Sequence, residues 1–251
     1  MVEPNVIMPR TSSAFDIIAL DADDTLWDNE SFYIQAKADF VALLQRYELS
    51  PEQVKARLDM IEEGNVAIYG YGIKSFLLSM VETAIAISQG EIRGDDLRAV
   101  IDLGREMLSS PVKIFPHTED TLAALSQRWD LMLITKGDVF EQSQKIERTG
   151  LAKYFRLVEI VGQKTPAVYR ALLKRHNIDP RRFLMVGNSL RSDIQPVLAL
   201  GGQAVYIPYI NTWAHEHRLD GELSKDGYYE LESLADLPEL LERITKISDS
   251  G

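Results

Sequence analysis

The sequence predicts an α/β fold, a doubly wound parallel sheet with a helical segment inserted after its first strand, and three observations predict it. Short, largely apolar runs recur at Phe15–Leu20, Leu131–Ile134, Leu157–Val161, Phe183–Val186 and Ala204–Ile207. Runs of this length without strict alternation suit strands covered on both faces of a parallel sheet. From Trp129 onward they alternate with helical spacing beginning near Glu119, Phe140, Ala167 and Ile194. The stretch between the first two runs breaks that alternation and carries helix signals only. Together these give a Rossmann-like core interrupted by helices.

Within the insert, Phe32, Ala36, Phe40, Val41, Leu44 and Tyr47 fall on one face of a first helix. Ser50, Pro51 and Gln53 form a capping-box start with proline in the first turn of a second helix, expected to stop at Gly64. A third helix is expected from about Ile73 to Ser88 and a fourth from about Asp95 to Leu108, ended by Ser109, Ser110 and Pro111. The division is therefore a core at 1–27 and 112–251 and a helical cap at 28–111, joined by two short linkers. After Tyr228, the residues Leu231, Leu234, Leu237, Leu240 and Leu241 predict a final amphipathic helix on the core.

At 251 residues the chain is long enough for a substantial core, and its formal charge of -11 has no basic stretch to follow a nucleic-acid backbone or an anionic bilayer. It contains no cysteine, which excludes disulfides, thiolate metal sites and a cysteine nucleophile. Met1 to Ser13 lack a continuous apolar stretch and do not read as a signal peptide or anchor, so the expected location is cytoplasmic.

Chemistry concentrates where the first strand ends, in Asp21-Ala22-Asp23-Asp24-Thr25-Leu26. Carboxylates two apart on an extended end can face one crevice, and such crevices at strand C-terminal ends bind ligands in open α/β sheets. Crowded acids repel, so they need a cation or a shared proton. The plainer alternative is an acidic turn in which Asp24 or Thr25 caps the helix that follows.

These residues resemble the first motif of the haloacid dehalogenase-like hydrolase superfamily, and three later sites resemble its other motifs in order. Thr135, ending the second strand in Thr135-Lys136-Gly137-Asp138, is similar to the Ser/Thr that binds phosphoryl oxygens, with Lys136 beside it as a candidate substrate contact. Lys164, in Gly162-Gln163-Lys164-Thr165-Pro166, resembles the charge-offsetting lysine, although many members place proline where Thr165 stands. Asn188 and Asp193, in Gly187-Asn188-Ser189-Leu190-Arg191-Ser192-Asp193, resemble the glycine-acid motif that supplies metal ligands, with an amide at the first position in place of the common aspartate. Gln142, Lys145 and the Gly150-Leu151 pair also look like this family and read as structural.

The resemblance implies a Mg²⁺-dependent phosphohydrolase acting on a small phosphorylated metabolite through an aspartyl-phosphate intermediate. Asp21 would be the nucleophile and Asp23 the acid and base. Metal would be held by Asp21, the Asp23 backbone carbonyl, Asn188 and Asp193. The alternatives are a phosphomutase or dehalogenase on the same scaffold, or a non-catalytic phosphate-binding homologue favoured only by Asn188. The loop from Ala67 to Lys74, with Tyr69, Tyr71 and Lys74 between glycines, is the expected specificity element. The His215-Glu216-His217 cluster lacks the spacing of a helical zinc motif and reads as a surface helix start after Thr212, and Trp213 reads as a packing residue. Neither nucleic acid nor membrane is expected as a partner, and the sequence leaves monomer and homodimer equally open.

Overall fold

The structure is a computed structural model that describes residues 14–47, 49–213, 216 and 227–248. Its centre is a six-stranded sheet in the order β5-β4-β1-β6-β7-β8, with every paired neighbour parallel. The strands are β1 (Ile17–Leu20), β4 (Leu131–Lys136), β5 (Leu157–Val161), β6 (Phe183–Gly187), β7 (Gln203–Tyr206) and β8 (Tyr229–Glu230). Successive residues point to opposite faces of a strand, and the core divides accordingly. Ile18, Leu20, Leu131, Leu133, Leu184 and Val186 pack on one face, beneath α5 (Thr118–Ser126), α6 (Val139–Thr149) and α9 (Leu237–Ser248). Ile17, Ala19, Met132, Ile134, Phe183 and Met185 pack on the other, beneath α7 (Pro166–Arg175) and α8 (Gln195–Leu198). Burial on both faces explains why these strands read as continuous apolar runs.

Four helices stand between the first two core strands: α1 (Glu30–Leu44), α2 (Pro51–Tyr69), α3 (Ile73–Ile87) and α4 (Gly94–Ser109). They enclose their own core around Phe40, Leu44, Leu58, Phe76, Met80 and Val100. The predicted capping box of α2 is present, with Gln53 N–H donating to the Ser50 hydroxyl and Ser50 N–H donating to the Gln53 side chain.

Four expectations need correction. Helix α2 passes through Gly64 and ends at Tyr69 before Gly70. A glycine in a helix interior costs only about 1 kcal/mol. Here that is offset by the complete burial of Val54 and Leu58 on the same helix, while the buried Asn65 is satisfied by donating its side-chain amide to Ser79 Oγ at 3.1 Å. The two linkers pair with each other as an antiparallel ribbon, β2 (Trp27–Asp28) against β3 (Lys113–Ile114), too short for periodicity to reveal. The segment after Tyr228 first adds β8 alongside β7, and helix α9 starts only at Leu237. Glu216, read as part of a surface helix start, is buried. His215, His217 and Met1–Ser13 lie outside the described residues. Among the described residues no helix is long and apolar enough to cross a membrane.

Candidate active site

The chain leaves β1 toward β4 but leaves the adjacent β6 toward β7, so the connections from these two neighbours run in opposite directions. That is the switch point at which an open sheet gapes, and Asp21 is the first residue past it. Its amide stays in the sheet, donating to Val186 O at 2.9 Å, so only its side chain enters the crevice. Residues 22–27 then close into a tight loop, with Leu26 N–H donating to Ala22 O at 2.8 Å. Asp24 takes a left-handed conformation there, φ 61°. Its carboxylate accepts the N–H groups of Asn29 (2.8 Å) and Glu30 (3.0 Å), capping α1 from outside the helix. The acidic cluster is thus both a helix cap, through Asp24, and a chemical site, through its neighbours.

Asp21, Asp23, Thr135, Lys136, Lys164, Asn188 and Asp193 all line one cleft at the C-terminal edge of the sheet. Lys164 arrives from the loop after β5, where its ammonium contacts Asp21 Oδ1 and donates to Asp193 Oδ1 at 2.7 Å. All three are buried. Asp193 sits in a π-helical turn, Leu190–Ile194, and its second oxygen accepts the Ser189 N–H at 3.1 Å. Gly187 is needed for this: a Cβ there would lie 2.2 Å from Asp193 Oδ2. Asn188 donates its amide N–H to Thr212 Oγ1 at 3.1 Å, and its amide oxygen faces the Thr25 hydroxyl.

Thr25 Oγ1 lies 3.2 Å from both Asp21 Oδ2 and Asn188 Oδ1. One hydroxyl hydrogen serves one acceptor at a time, so an oxygen lone pair on this side is left for another electropositive partner. Burial pushes the Asp21 carboxyl up to about 7; Lys164 opposes this, and Asp193 and Asp23 add repulsion. Lys164 is held above its ordinary value: burial works against its charge, but Asp193 and Asp21 outweigh it. Two buried carboxylates against one ammonium, with an amide oxygen beside them, make a hard, electron-rich donor set that fits Mg²⁺. Among the described residues no group of three or more His, Cys, Asp or Glu is arranged to hold a metal, so the fit depends on the Asn188 amide and backbone oxygen.

Asp23 is held by a different set of partners. Its oxygens accept from Trp27 Nε1 (2.6 Å), Gln142 Nε2 (2.7 Å) and Lys145 Nζ (3.1 Å to each oxygen). Gln142 and Lys145 are therefore contacts of the candidate acid and base, a role the sequence reading missed. Their spacing of three on α6, one helical face, was the available signal. Lys136 contacts Glu216, donates to Ser192 Oγ at 3.0 Å, and lies 4.5 Å from the Tyr71 ring centroid.

Of the expected specificity residues, only Tyr71 lines the cleft, edge-on to Trp213, which lines it too. Tyr71 stands between Gly70 (φ 78°) and Gly72 (φ 127°), backbone that favours glycine. A Cβ at Gly72 would also come within 2.9 Å of Glu141 Oε2, which accepts the Ile73 N–H at the start of α3. Tyr69 lies on the end of α2, 52 % exposed and outside the cleft, because the helix continues where a loop was expected. Lys74 pairs with Asp138 at 2.8 Å at an exposed junction and does not line the cleft either.

The family model for haloacid dehalogenase-like hydrolases matches residues 15–201. A haloacid dehalogenase-like hydrolase from Xanthomonas campestris, known from its crystal structure, superposes with a TM-score of 0.86 at 36% identity, covering 98% of each chain. The 5-amino-6-(5-phospho-D-ribitylamino)uracil phosphatase YigB of Escherichia coli K12 is 24% identical over 79% of this chain and 85% of its own. A glyceraldehyde 3-phosphate phosphatase of Pyrococcus furiosus is 32% identical over 51% of this chain and 54% of its own. With four motifs meeting at one sheet edge and the family model spanning the core, the chain belongs to the haloacid dehalogenase-like hydrolases.

Proposed function

We propose that this chain is a Mg²⁺-dependent phosphatase that hydrolyses a small phosphorylated metabolite through an aspartyl-phosphate. The observation that carries the reading is the convergence of Asp21, Asp23, Thr135, Lys164, Asn188 and Asp193 on one cleft from distant parts of the chain. The phosphatase activities of the relatives support it.

Cleaving a phosphate monoester brings an anionic nucleophile to an anionic phosphoryl group, so positive charge and fixed geometry carry the catalysis. Asp21 attacks phosphorus in line and the bond to the leaving oxygen breaks. Asp23 gives that oxygen its proton. Water then attacks the aspartyl-phosphate, Asp23 takes the proton back, and phosphate leaves with Asp21 regenerated. Lys164 offsets charge on the nucleophile and phosphoryl oxygens, and the Thr135 hydroxyl donates to one of those oxygens. Asp21, the Asp23 backbone carbonyl, Asn188 and Asp193 would hold Mg²⁺, which when bound supplies the charge that keeps Asp21 ionised at neutral pH. The helices at 28–111 act as a cap excluding water. A second carboxylate lining the cleft at Asp23 favours phosphoryl transfer over carbon-centred displacement, which needs no leaving-group acid.

Hydrolysis of p-nitrophenyl phosphate with Mg²⁺ tests the reading. Release should stop with excess chelator and fall about 10⁴-fold or more in Asp21→Asn. Undiminished release by that variant would show that the nucleophile is misassigned.

A further inference from the structure

The helical end of the cleft is lined by Glu30, Glu62 and the rings of Tyr33 and Phe76, with centroids 5.1 Å apart. At the sheet edge the cleft has a rim from outside the four motifs, formed by Thr212, Trp213 and Glu216 in the chain after β7. Glu216 fastens this rim to the turn that bears Asn188 and Asp193. Its buried carboxylate contacts Lys136, accepts from Ser189 Oγ and accepts from Ser192 Oγ at 2.6 Å. Thr212 is buried too. Its N–H donates to Tyr209 O at 3.0 Å, and its hydroxyl oxygen accepts the Asn188 amide N–H at 3.1 Å.

The two ends of an amide differ: its oxygen can ligate a hard cation such as Mg²⁺, whereas its N–H groups only donate hydrogen bonds. A carboxylate offers an oxygen whichever way it turns. A buried asparagine that ligates must therefore set its N–H groups against an acceptor, and Asn188 has Thr212 Oγ1. Without that acceptor, the orientation with the oxygen available to a cation would strand a buried donor, which is costly. The reverse orientation would place an N–H against Thr25 Oγ1, and the Thr25 hydroxyl could then donate to Asp21 Oδ2, each a 3.2 Å contact between heavy atoms. It would also withdraw the amide oxygen from the metal. We propose that Thr212 is a positioning residue for the metal, holding Asn188 with its oxygen presented, a service that an aspartate at 188 would not need. The inference rests on the metal site of the phosphatase reading and adds the residue that keeps its amide ligand in place.

The experiment titrates the chain with Mn²⁺, which takes the same oxygen donors as Mg²⁺, and reads the free ion by its electron paramagnetic resonance signal. Thr212→Val, close in shape but without an acceptor, should raise the Mn²⁺ Kd about tenfold or more, the usual cost of losing a group that orients a ligand. Thr212→Ser restores the acceptor and should stay within about threefold of wild type. In an Asn188→Asp background, Thr212→Val should not raise the Kd, because a carboxylate has no N–H to satisfy; this non-additivity is what a packing defect would not produce. Kd is read from folded molecules, and the stoichiometry reports any loss of them. An unchanged Kd in Thr212→Val overturns the inference alone, as does an equal loss in the Asn188→Asp background or in Thr212→Ser. Wild-type chain that binds no Mn²⁺ overturns the metal assignment and the inference with it. The expected pattern of Kd values without release from p-nitrophenyl phosphate upholds the inference and overturns the phosphatase reading.

Discussion

The two ends of the cleft are built differently. At the sheet edge the charged groups already have partners: Lys164 holds Asp21 and Asp193, Gly187 makes room for Asp193, and Asp23 is gripped by Trp27, Gln142 and Lys145. At the helical end the walls are aromatic and Glu30 has no such partner among the described residues. The sheet edge is thus prepared for one reaction before anything binds, while the helical end is left to be completed by what arrives. Preorganised charge suits a phosphoryl group common to many substrates.

The largest test of this contrast removes the cation at the prepared end. Lys164→Met leaves Asp21 and Asp193 buried without their ammonium, and should cost about 3–5 kcal/mol in denaturant unfolding. Added Mg²⁺ should restore part of the loss if those oxygens bind it. Unchanged stability would mean that the ion cluster does not hold the sheet edge.

A smaller effect is expected at Asp23. Lys145→Met removes one of its partners without touching Asp21, and should lower kcat about tenfold to a hundredfold. The pH profile of kcat should move with it, whereas a loss of packing alone would scale the profile without displacing it.

The helical end should show itself in stability against pH. Burial pushes the Glu30 carboxyl up to about 8; repulsion from Asp24, Glu62 and Glu216 adds to this and Lys37 opposes it. The folded chain keeps that proton up to about pH 8, whereas the unfolded chain releases it near the ordinary value of 4.5. Protons bound in excess by the folded state mean that stability falls as pH rises through that window. Glu30→Gln should flatten the fall, by on the order of 1 kcal/mol between pH 5 and pH 9, since water in the cleft screens the group. An equally steep fall in the variant would place the titration elsewhere.

The smallest change lies away from both ends. Nothing stands within 4 Å of a Cβ built at Gly64, in the interior of α2. Gly64→Ala should therefore stabilise the chain by about 0.5–1 kcal/mol with kcat unaltered. Destabilisation would argue that the glycine is needed for motion of the helices.

The sequence by itself determined the positions of five of the six strands of the central sheet and the identity of the motif residues, because both are local. An apolar run covered on both faces is recognisable in place, and a polar residue directly after it lands at the sheet edge whatever the rest of the chain does. The capping box at Ser50 and Gln53 was legible for the same reason. What only the tertiary structure decided are the partners of those residues. Gln142 and Lys145 reach Asp23 across 119 and 122 positions, Glu216 reaches Lys136 across 80, and Tyr71 meets Lys136 from the turn before α3, whose first N–H is held by Glu141. Helix α2 runs through Gly64 because burial of neighbouring side chains outweighs a propensity cost of about 1 kcal/mol, a balance set in three dimensions. Local sequence specifies where a functional group is mounted; the polar environment that tunes it is assembled from distant segments, and their meeting is a property of the packed fold.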